Sequence, residues 1–301
     1  MEGHVRMSTE DVAWLKLSLL TTLPTSKLLS VLQSIGGVEE VFDASFLTLS
    51  RLGGEAFARE VRGTENSRRA DVLLEWMARN PAVGLLRLTD SDYPQLMIEA
   101  GEAPMVLWYR GSLQPLQCPM LAITGSTHPD QEAMYNAENF GLSLGQKTGI
   151  TLSTGLFPGT EQIFTSAALT VEGCSLVVWQ SCGSDRIWPS ATRDRVYEIL
   201  DKGGLLLSAA PPGSVVTAQS KRQQMMCRMA ASRALLVLNA HRASALLDMA
   251  KSAACWGRDV MAVPGSIHSP LSKGCHILIK QGAKLVETSE EIADEVRKTH
   301  C

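Results

Sequence analysis

The sequence lacks the cysteine patterns of disulfide-bonded and zinc-binding proteins. Its seven cysteines are an odd number, with no Cys-x-x-Cys pair and no Cys/His cluster at metal-ligand spacing. This usage favours reduced thiols in a cytoplasmic compartment. Residues 1–6 lack the apolar core of a signal peptide, and no run approaches the ~20 apolar residues of a membrane helix. We therefore expect a cytoplasmic protein that does not enter a membrane.

The sequence also has no overall excess of basic residues. The formal net charge is −3 and the pI is about 6.1, so a nucleic-acid site must be a local patch that outweighs its surroundings. The 301 residues are 45% hydrophobic and 20% charged. That composition is typical of a folded globular protein, and the length suits two domains.

The usual signatures of catalysis are absent as well. The sequence has no Gly-x-Ser-x-Gly elbow and no Walker lysine, and its histidines and cysteines have no motif partner. A dinucleotide-dependent dehydrogenase needs Gly-x-Gly-x-x-Gly, and the sequence fails that pattern after Gly125. Pro158-Gly-Thr-Glu161 faintly resembles a motif of lysine-decarboxylase-like nucleotide N-glycosidases but lacks two of its glycines. We expect a protein that is not an enzyme and holds no cofactor or metal.

The part of the sequence before residue 80 is helical in pattern. Apolar residues recur at helical spacing from Ser8 to about Arg79, with cap and stop signals at Thr25-Ser26 and Gly36-Gly37. The pattern predicts a small all-helical domain over residues 1–80 and a second domain over residues 81–301.

Short apolar strands then alternate with capped helices. Strands are predicted over residues 106–109, 119–124, 150–153, 176–179, 205–209, 235–238, 259–263 and 284–286. Strict alternation predicts an α/β fold with a doubly wound parallel sheet, in which ligands bind beyond the carboxyl ends of the strands. The strand predicted over residues 119–124 ends in Gly125-Ser126-Thr127, and a helix is predicted to begin soon after. This arrangement suits either an anion site or an ordinary turn.

Seven motifs follow one another in an order that is hard to obtain by chance. They are Asp92-Tyr93-Pro94, Pro104 through Arg110-Gly111, Ala122 through Ser126, Ser153-Thr-Gly155-Leu, Asp185-Arg186-Ile187-Trp188-Pro189, Ser208 with Pro211-Pro212-Gly213, and the run from Val263 to Val286. From about residue 85 to 295 the sequence thereby resembles the DNA-processing protein A (DprA/Smf) family.

This resemblance implies an extended Rossmann fold preceded by a sterile-alpha-motif-like helical domain. It implies a non-enzymatic protein that binds single-stranded DNA, protects it from nucleases and loads a RecA-type recombinase during natural transformation. Members of the family dimerise through the Rossmann domain, so we expect a homodimer. Some members continue into a winged-helix domain, which we expect this sequence, running to Cys301, to lack.

The sequence departs from the family where arginines would meet phosphate. Thr127 and Pro158 stand at two arginine positions, residues 223–226 replace an arginine-rich block, residues 243–246 replace Ser-Gly-Ser-Leu, and His276 replaces an asparagine. Threonine and proline cannot supply the paired donors of a guanidinium. A nucleotide-ligand sensor related to phage defence, or a paralogue that no longer binds DNA, is therefore the alternative.

Some basic side chains survive near the predicted loops. Lys221, Gln224 and Arg228 fall at i, i+3 and i+7, on one face of a predicted helix that suits either a phosphate backbone or solvent. Lys202 and Lys273 either extend this patch or cap helices. The predicted phosphate-binding residues are Gly125, Ser126, Thr127, Gly155, Gly159, Lys202, Lys221, Arg222, Arg228, Gly265, Ser266, Lys273, Gly274 and His276.

Four further expectations concern neighbouring side chains. Trp188 suits base stacking or packing, whereas Trp179 is expected in the core. The methionines at 225, 226 and 229 are expected to form a packed face. Asp185 and Arg186 are expected to form a buried ion pair that fixes their loop. His276 suits either a phosphate contact or a local hydrogen bond, and the local bond is favoured.

Overall fold

The computed structural model describes residues 8–298. Residues 1–6 and Cys301, on which two expectations rest, lie outside this range. The described chain begins with the helices α1 (Thr9–Ser18), α2 (Thr25–Ile35), α3 (Val38–Asp43), α4 (Phe46–Gly53), α5 (Glu55–Arg62) and α6 (Thr64–Arg79). The predicted all-helical segment is thus confirmed. Ser8 starts it with a capping box, in which its hydroxyl accepts the Asp11 N–H at 3.1 Å.

Strands and helices alternate after α6. The strands are β1 (Val83–Arg87), β2 (Val106–Gly111), β3 (Met120–Thr124), β4 (Thr151–Thr154), β5 (Leu176–Gln180), β6 (Leu205–Ser208), β7 (Ala234–Val237), β8 (Asp259–Ala262) and β9 (Lys284–Leu285). The helices are α7 (Gln95–Glu99), α8 (Gln131–Gly145), α9 (Thr160–Leu169), α10 (Arg193–Asp201), α11 (Ala218–Ala231), α12 (Leu246–Cys255), α13 (Ser272–Lys280) and α14 (Ser289–Arg297).

The strands form one sheet in the order β1-β2-β6-β5-β4-β3-β7-β8-β9. The seven strands β3 to β9, which lie side by side in this order, are all parallel, and this confirms the doubly wound sheet. Strand β1 was not predicted, and β1 and β2 run antiparallel at one edge. Gly84 weakens the strand pattern of β1. It lies opposite Tyr109, and a Cβ atom at Gly84 would lie 2.2 Å from the Tyr109 ring.

Apolar side chains cover both faces of the parallel strands, as a doubly wound sheet requires. Leu121 and Ile123 of β3 pack with helices α8, α9, α10 and α14, whereas Ala122 between them packs with α11, α12 and α13. Met229 is buried in the second layer, with Met225 and Met226 packed against it, so the predicted methionine face is confirmed. Successive side chains of β3 thus point to opposite faces of the sheet, and each face packs against its own layer of helices.

The amino-terminal helices share a core with the antiparallel edge of the sheet. Leu15 of α1 and Leu19, the residue that follows this helix, pack with Val83 of β1 and Trp108 of β2. The division into domains at residues 80 and 81 stays a prediction. Within residues 8–298, every helix is too short or too polar to cross a bilayer.

Candidate nucleic-acid interface

The loops that carry the predicted residues meet at the carboxyl edge of the sheet, beside β3. The chain winds from β3 through β4 and β5 to β6 on one side, then continues at β7 on the other side. Ligands of doubly wound sheets bind at such a switch point. The loops over residues 125–130, 155–159, 238–245 and 263–271 converge there.

Ser126 joins the loop after β3 to the loops after β4 and β7. Its backbone N–H donates to Asn239 Oδ1 at 2.7 Å, and its carbonyl accepts the Thr160 hydroxyl at 2.9 Å. Its own hydroxyl accepts the His128 N–H at 3.1 Å. The Ser126 N–H, which was predicted to bind phosphate, therefore already donates a hydrogen bond within the protein. Thr127 beside it is exposed, with its hydroxyl 3.0 Å from His128 Nδ1.

Gly125 and Gly159 let these two loops touch. A Cβ atom at Gly125 would lie 2.5 Å from the Thr160 side chain. Gly159 has φ +82°, and a Cβ atom there would lie 2.6 Å from the Ser126 carbonyl oxygen. Loop packing and left-handed backbone therefore account for both glycines without a ligand.

A buried ion pair occupies the centre of the interface, at the carboxyl end of β4. Arg228 of α11 donates to Glu161 of α9 from Nη1 at 2.7 Å and from Nη2 at 2.9 Å, and the side chains are 1% and 3% exposed. The Glu161 carboxylate also accepts the Gly155 N–H at 2.9 Å. The amide predicted to bind phosphate therefore binds an anion that belongs to the chain itself.

The prediction that Lys221, Gln224 and Arg228 form one exposed face is wrong. Gln224 and Arg228 are buried, and Gln224 Nε2 donates to the Trp179 carbonyl at 3.0 Å. The face points inward because Glu161 provides a carboxylate for Arg228 under the helix. Gly155 is packed against this face, and a Cβ atom there would lie 2.4 Å from Gln224 Nε2.

The loop between β8 and α13 is held by internal hydrogen bonds. His276 Nε2 lies 3.1 Å from the Gly265 carbonyl oxygen, so the expected local bond of this histidine is confirmed. Ser266 Oγ accepts the His268 N–H at 3.2 Å, and the Gly274 N–H donates to the Ala240 carbonyl at 2.8 Å. The exposed Lys273 ammonium contacts the Ile267 carbonyl.

Lys202 lies at the amino ends of the parallel strands, away from the loops described above. It follows α10 and precedes β6, and its ammonium donates to the Leu169 carbonyl at 2.8 Å and to Glu198 at 2.9 Å. The expectation that it extends the patch is therefore wrong. Its position satisfies a terminal carbonyl of α9, which confirms the helix-capping alternative.

Half-buried aromatic and basic groups meet beyond β4 and β5, in what we call the Trp188 platform: Phe157, Trp188 and Lys221. The Phe157 and Trp188 rings are 5.7 Å apart and inclined at 74°. Lys221 Nζ lies 4.4 Å from the centre of the Trp188 ring, and Arg222 beside it is exposed. An aromatic face next to a cation matches what a nucleotide presents, a base and a phosphate.

Trp179 differs from Trp188. It is 1% exposed, and its indole N–H donates to Ser153 Oγ at 3.1 Å, which confirms the predicted core position. Sequence reasoning missed Phe157. The signal available for it was its place in the loop that directly follows the parallel strand β4.

Asp185 and Arg186 form an ion pair at 2.7 Å, but the prediction that it is buried is wrong, because the Arg186 side chain is 45% exposed. Asp185 also accepts the Gly213 N–H at 2.8 Å, so the pair joins the loops after β5 and β6. Partial burial raises the pKa of Asp185, but hydrogen bonds from Arg186 and Gly213 outweigh it and hold that pKa below its ordinary value.

Among residues 8–298, no three His, Cys, Asp or Glu side chains come together as a metal site requires. The six cysteines in this range are free thiols.

Comparisons with known proteins agree with this geometry. A family model described as DNA recombination-mediator protein A matches residues 84–297. DNA processing protein DprA of Streptococcus pneumoniae is 30% identical over 213 residues, which cover 69% of this chain and 72% of that protein. Protein Smf of Escherichia coli is 32% identical over 205 residues, and the match spans about half of its length, 54%.

Solved structures show the same fold. The X-ray structure of DprA from Streptococcus pneumoniae matches 98% of this chain and 100% of that chain, with a TM-score of 0.79 and 25% identity. The DNA processing protein A of Helicobacter pylori, described by its single-stranded DNA binding mode, matches 70% of this chain and 94% of that chain, with a TM-score of 0.60 and 18% identity. The chain therefore belongs to the DNA recombination-mediator protein A family, the DprA/Smf DNA-processing proteins.

Proposed function

We propose that the protein binds single-stranded DNA, without catalysis, along the carboxyl edge of its sheet. Family membership supports this proposal, as does the single-stranded DNA binding described for the Helicobacter pylori relative. The observation that carries it is the Trp188 platform, where Lys221 Nζ lies 4.4 Å from the Trp188 ring. Stacking on an aromatic ring stabilises a bound base by about 1–3 kcal/mol and tolerates any sequence.

The predicted residues divide into two groups in this proposal. Lys221 and Arg222 contact phosphates directly, and Thr127, Ser266 and Lys273 line the rim from the neighbouring loops. Lys202 takes no part, since it caps α9 away from these loops. The remaining residues hold the loops in place. These are Gly125, Ser126, Gly155, Gly159, Arg228, Gly265, Gly274 and His276, whose packing or hydrogen bonds lie inside the protein.

A strand held along this edge would be shielded from nucleases, and its backbone would be presented to a RecA-type recombinase in the cytoplasm. We include both steps in the proposal, together with a homodimer. Two linked sites on one strand raise the effective concentration of the second contact, so a dimer would hold long DNA more tightly than one subunit.

The alternative function is binding of a nucleotide among the glycine loops. The amides of Ser126, Gly155 and Gly274 would have to bind its phosphate, but each already donates to an acceptor within the protein. This disfavours that pocket relative to the Trp188 platform, which is only half-buried.

Replacing Trp188 tests the proposal. We expect Trp188→Ala to weaken binding of a fluorescent oligothymidine by about 1–3 kcal/mol, measured by anisotropy, while Trp188→Phe retains most of the affinity. Lys221→Glu should also weaken binding, and Arg69→Glu on the exposed surface of α6 is its charge-matched control. Equal affinities of Trp188→Ala and the wild type would remove the platform from the DNA site.

A further inference from the structure

A cleft lies beside the loop that carries Trp188, lined in part by Asp185, Arg186 and Ile187 of that loop. Its volume is about 240 Å³, and β2, the loop after β5 and the start of α10 form its walls. Three guanidinium groups line it, from Arg110, Arg186 and Arg193, together with the hydroxyl-bearing ring of Tyr197. These groups belong neither to the Trp188 platform nor to the buried Glu161–Arg228 ion pair.

The positive charge of the cleft is only partly neutralised. Asp185 is the carboxylate in its wall, and it is bonded to Arg186 and to the Gly213 N–H. Within residues 8–298, neither Arg110 nor Arg193 forms an ion pair with a carboxylate. The cleft therefore carries about two uncompensated positive charges.

Arg110 and Arg193 share Tyr197 in place of a carboxylate. The Arg110 guanidinium lies 5.5 Å from the centre of the Tyr197 ring. Hydrogen bonding to Arg110 and then to Arg193 lowers the pKa of the Tyr197 hydroxyl. A phenol orients these guanidinium groups but leaves most of their donors free, since each guanidinium has five N–H groups.

The placement of Arg193 is electrostatically costly. It is the first residue of α10, where the partial positive charge of the helix terminus disfavours a cation. Arg110 adds a like charge nearby. A bound anion would remove both penalties, because it would interact favourably with the helix terminus and with the two arginines.

We infer that Arg110, Arg186 and Arg193 form a phosphate-binding site. The inference rests on the proposed function in one respect: the phosphate is expected to belong to the strand whose base stacks on Trp188. Arg186 and Trp188 lie two residues apart in one loop, a backbone span of at most about 7 Å. A strand leaving the Trp188 platform therefore reaches the cleft within a short distance.

Phosphate is the chemical group that suits the cleft best. Planar guanidinium forks pair bidentately with phosphate oxygens, and three of them around one cavity fit a group with several such oxygens. The phosphates of a free nucleotide offer the same chemistry as a DNA backbone phosphate, so the experiment includes a probe for each source.

The first arm uses DNA of two lengths. Oligothymidines of about 4 and about 20 nucleotides bracket the usual sizes of single-strand sites. In the double variant Arg110→Gln/Arg193→Gln, we expect the longer oligonucleotide to bind about tenfold more weakly. The slope of log affinity against log salt should fall by about 0.7 for one lost phosphate contact. Binding of the short oligonucleotide should change little, because the Trp188 platform holds it.

The second arm uses inorganic pyrophosphate, without DNA. The Nε–Hε signals of Arg110, Arg186 and Arg193 are followed by NMR during the titration, and they should shift together. If the wild-type protein binds no oligonucleotide but these signals shift, the proposed function fails and the cleft is a site for free phosphate compounds. If pyrophosphate shifts the signals and DNA binding does not depend on the arginines, the source is again a free compound.

Two results would overturn the inference. One is a double variant with wild-type affinity and salt slope, combined with arginine signals that pyrophosphate does not move. The other is an equal loss of affinity in Arg69→Gln, a non-specific charge effect because Arg69 lies on α6 outside the cleft, again with arginine signals that pyrophosphate does not move. Thermal unfolding of each variant identifies a folding defect, and the pyrophosphate titration of the wild type is independent of such a defect.

Discussion

Glu161 shows how one residue determines what the interface can bind. Its buried carboxylate accepts hydrogen bonds from Arg228 Nη1 and Nη2 and from the Gly155 N–H. An ion pair at this depth is costly to desolvate, and it is stable only because several hydrogen bonds satisfy it. The internal carboxylate occupies the Gly155 N–H in the loop after β4, which is why the proposed DNA site lies further out, at Trp188.

Removing the Glu161 charge should therefore destabilise the protein strongly. We expect Glu161→Gln to lower the free energy of unfolding by about 3–5 kcal/mol, because it leaves the Arg228 guanidinium buried without its counter-charge. Urea denaturation measures this change. Glu55→Gln removes one partner of an exposed pair on α5, where the side chains are about 70% exposed, and should cost less than about 1 kcal/mol. Similar losses in the two variants would contradict the role given to Glu161.

Helix α11 shows why the site was harder to predict than the fold. The spacing of Lys221, Gln224 and Arg228 defined a face correctly, but spacing alone does not say whether a face meets solvent or protein. The answer depends on Glu161, which lies 67 residues earlier in the chain. Residues 106–111 and 120–124, by contrast, were predictable as strands because local composition is sufficient for a short buried strand.

The loops after β3 and β4 are elements whose close contact can be tested through their glycines. Gly159 and Gly173 both have positive φ, +82° and +75°, but only Gly159 has atoms within 4 Å of the site of a Cβ atom. We expect each alanine variant to lose about 1–2 kcal/mol from backbone strain. Gly159→Ala should lose a further 1–3 kcal/mol, roughly, from overpacking against the Ser126 carbonyl.

Thermal or urea unfolding of the two variants gives this difference directly, because the strain common to both cancels. If Gly173→Ala costs as much as Gly159→Ala, the two loops are not packed as described. Binding of DNA to Gly159→Ala would then also be expected to match the wild type.

At the scale of the whole molecule, the sequence predicted the doubly wound order but not the antiparallel edge. Alternation of strands and helices implies parallel pairing wherever a helix intervenes. Strand β1 follows α6 closely, and its pairing with β2 depends on contacts such as Gly84 opposite Tyr109. The core shared by α1 and this edge was likewise invisible, since it joins residues about 90 positions apart.

The whole molecule also explains how an acidic protein could bind DNA. The net charge of −3 opposes a polyanion at long range, yet Lys221, Arg222 and the arginine cleft gather positive charge around one loop. At physiological salt the Debye length is about 8 Å, so the local patch outweighs the distant negative charge. Lowering the salt should therefore strengthen binding through phosphate contacts rather than weaken it by overall repulsion.

The salt dependence of DNA binding tests the central claim most directly. Anisotropy of a labelled oligothymidine of about 20 nucleotides is measured against the wild-type protein at several salt concentrations. A strand held by a few phosphate contacts predicts a straight line of log affinity against log salt, with a slope of about −0.7 for each contact. The slope should become shallower in Lys221→Glu and remain unchanged in Arg69→Glu. Absence of binding even at low salt would contradict the account.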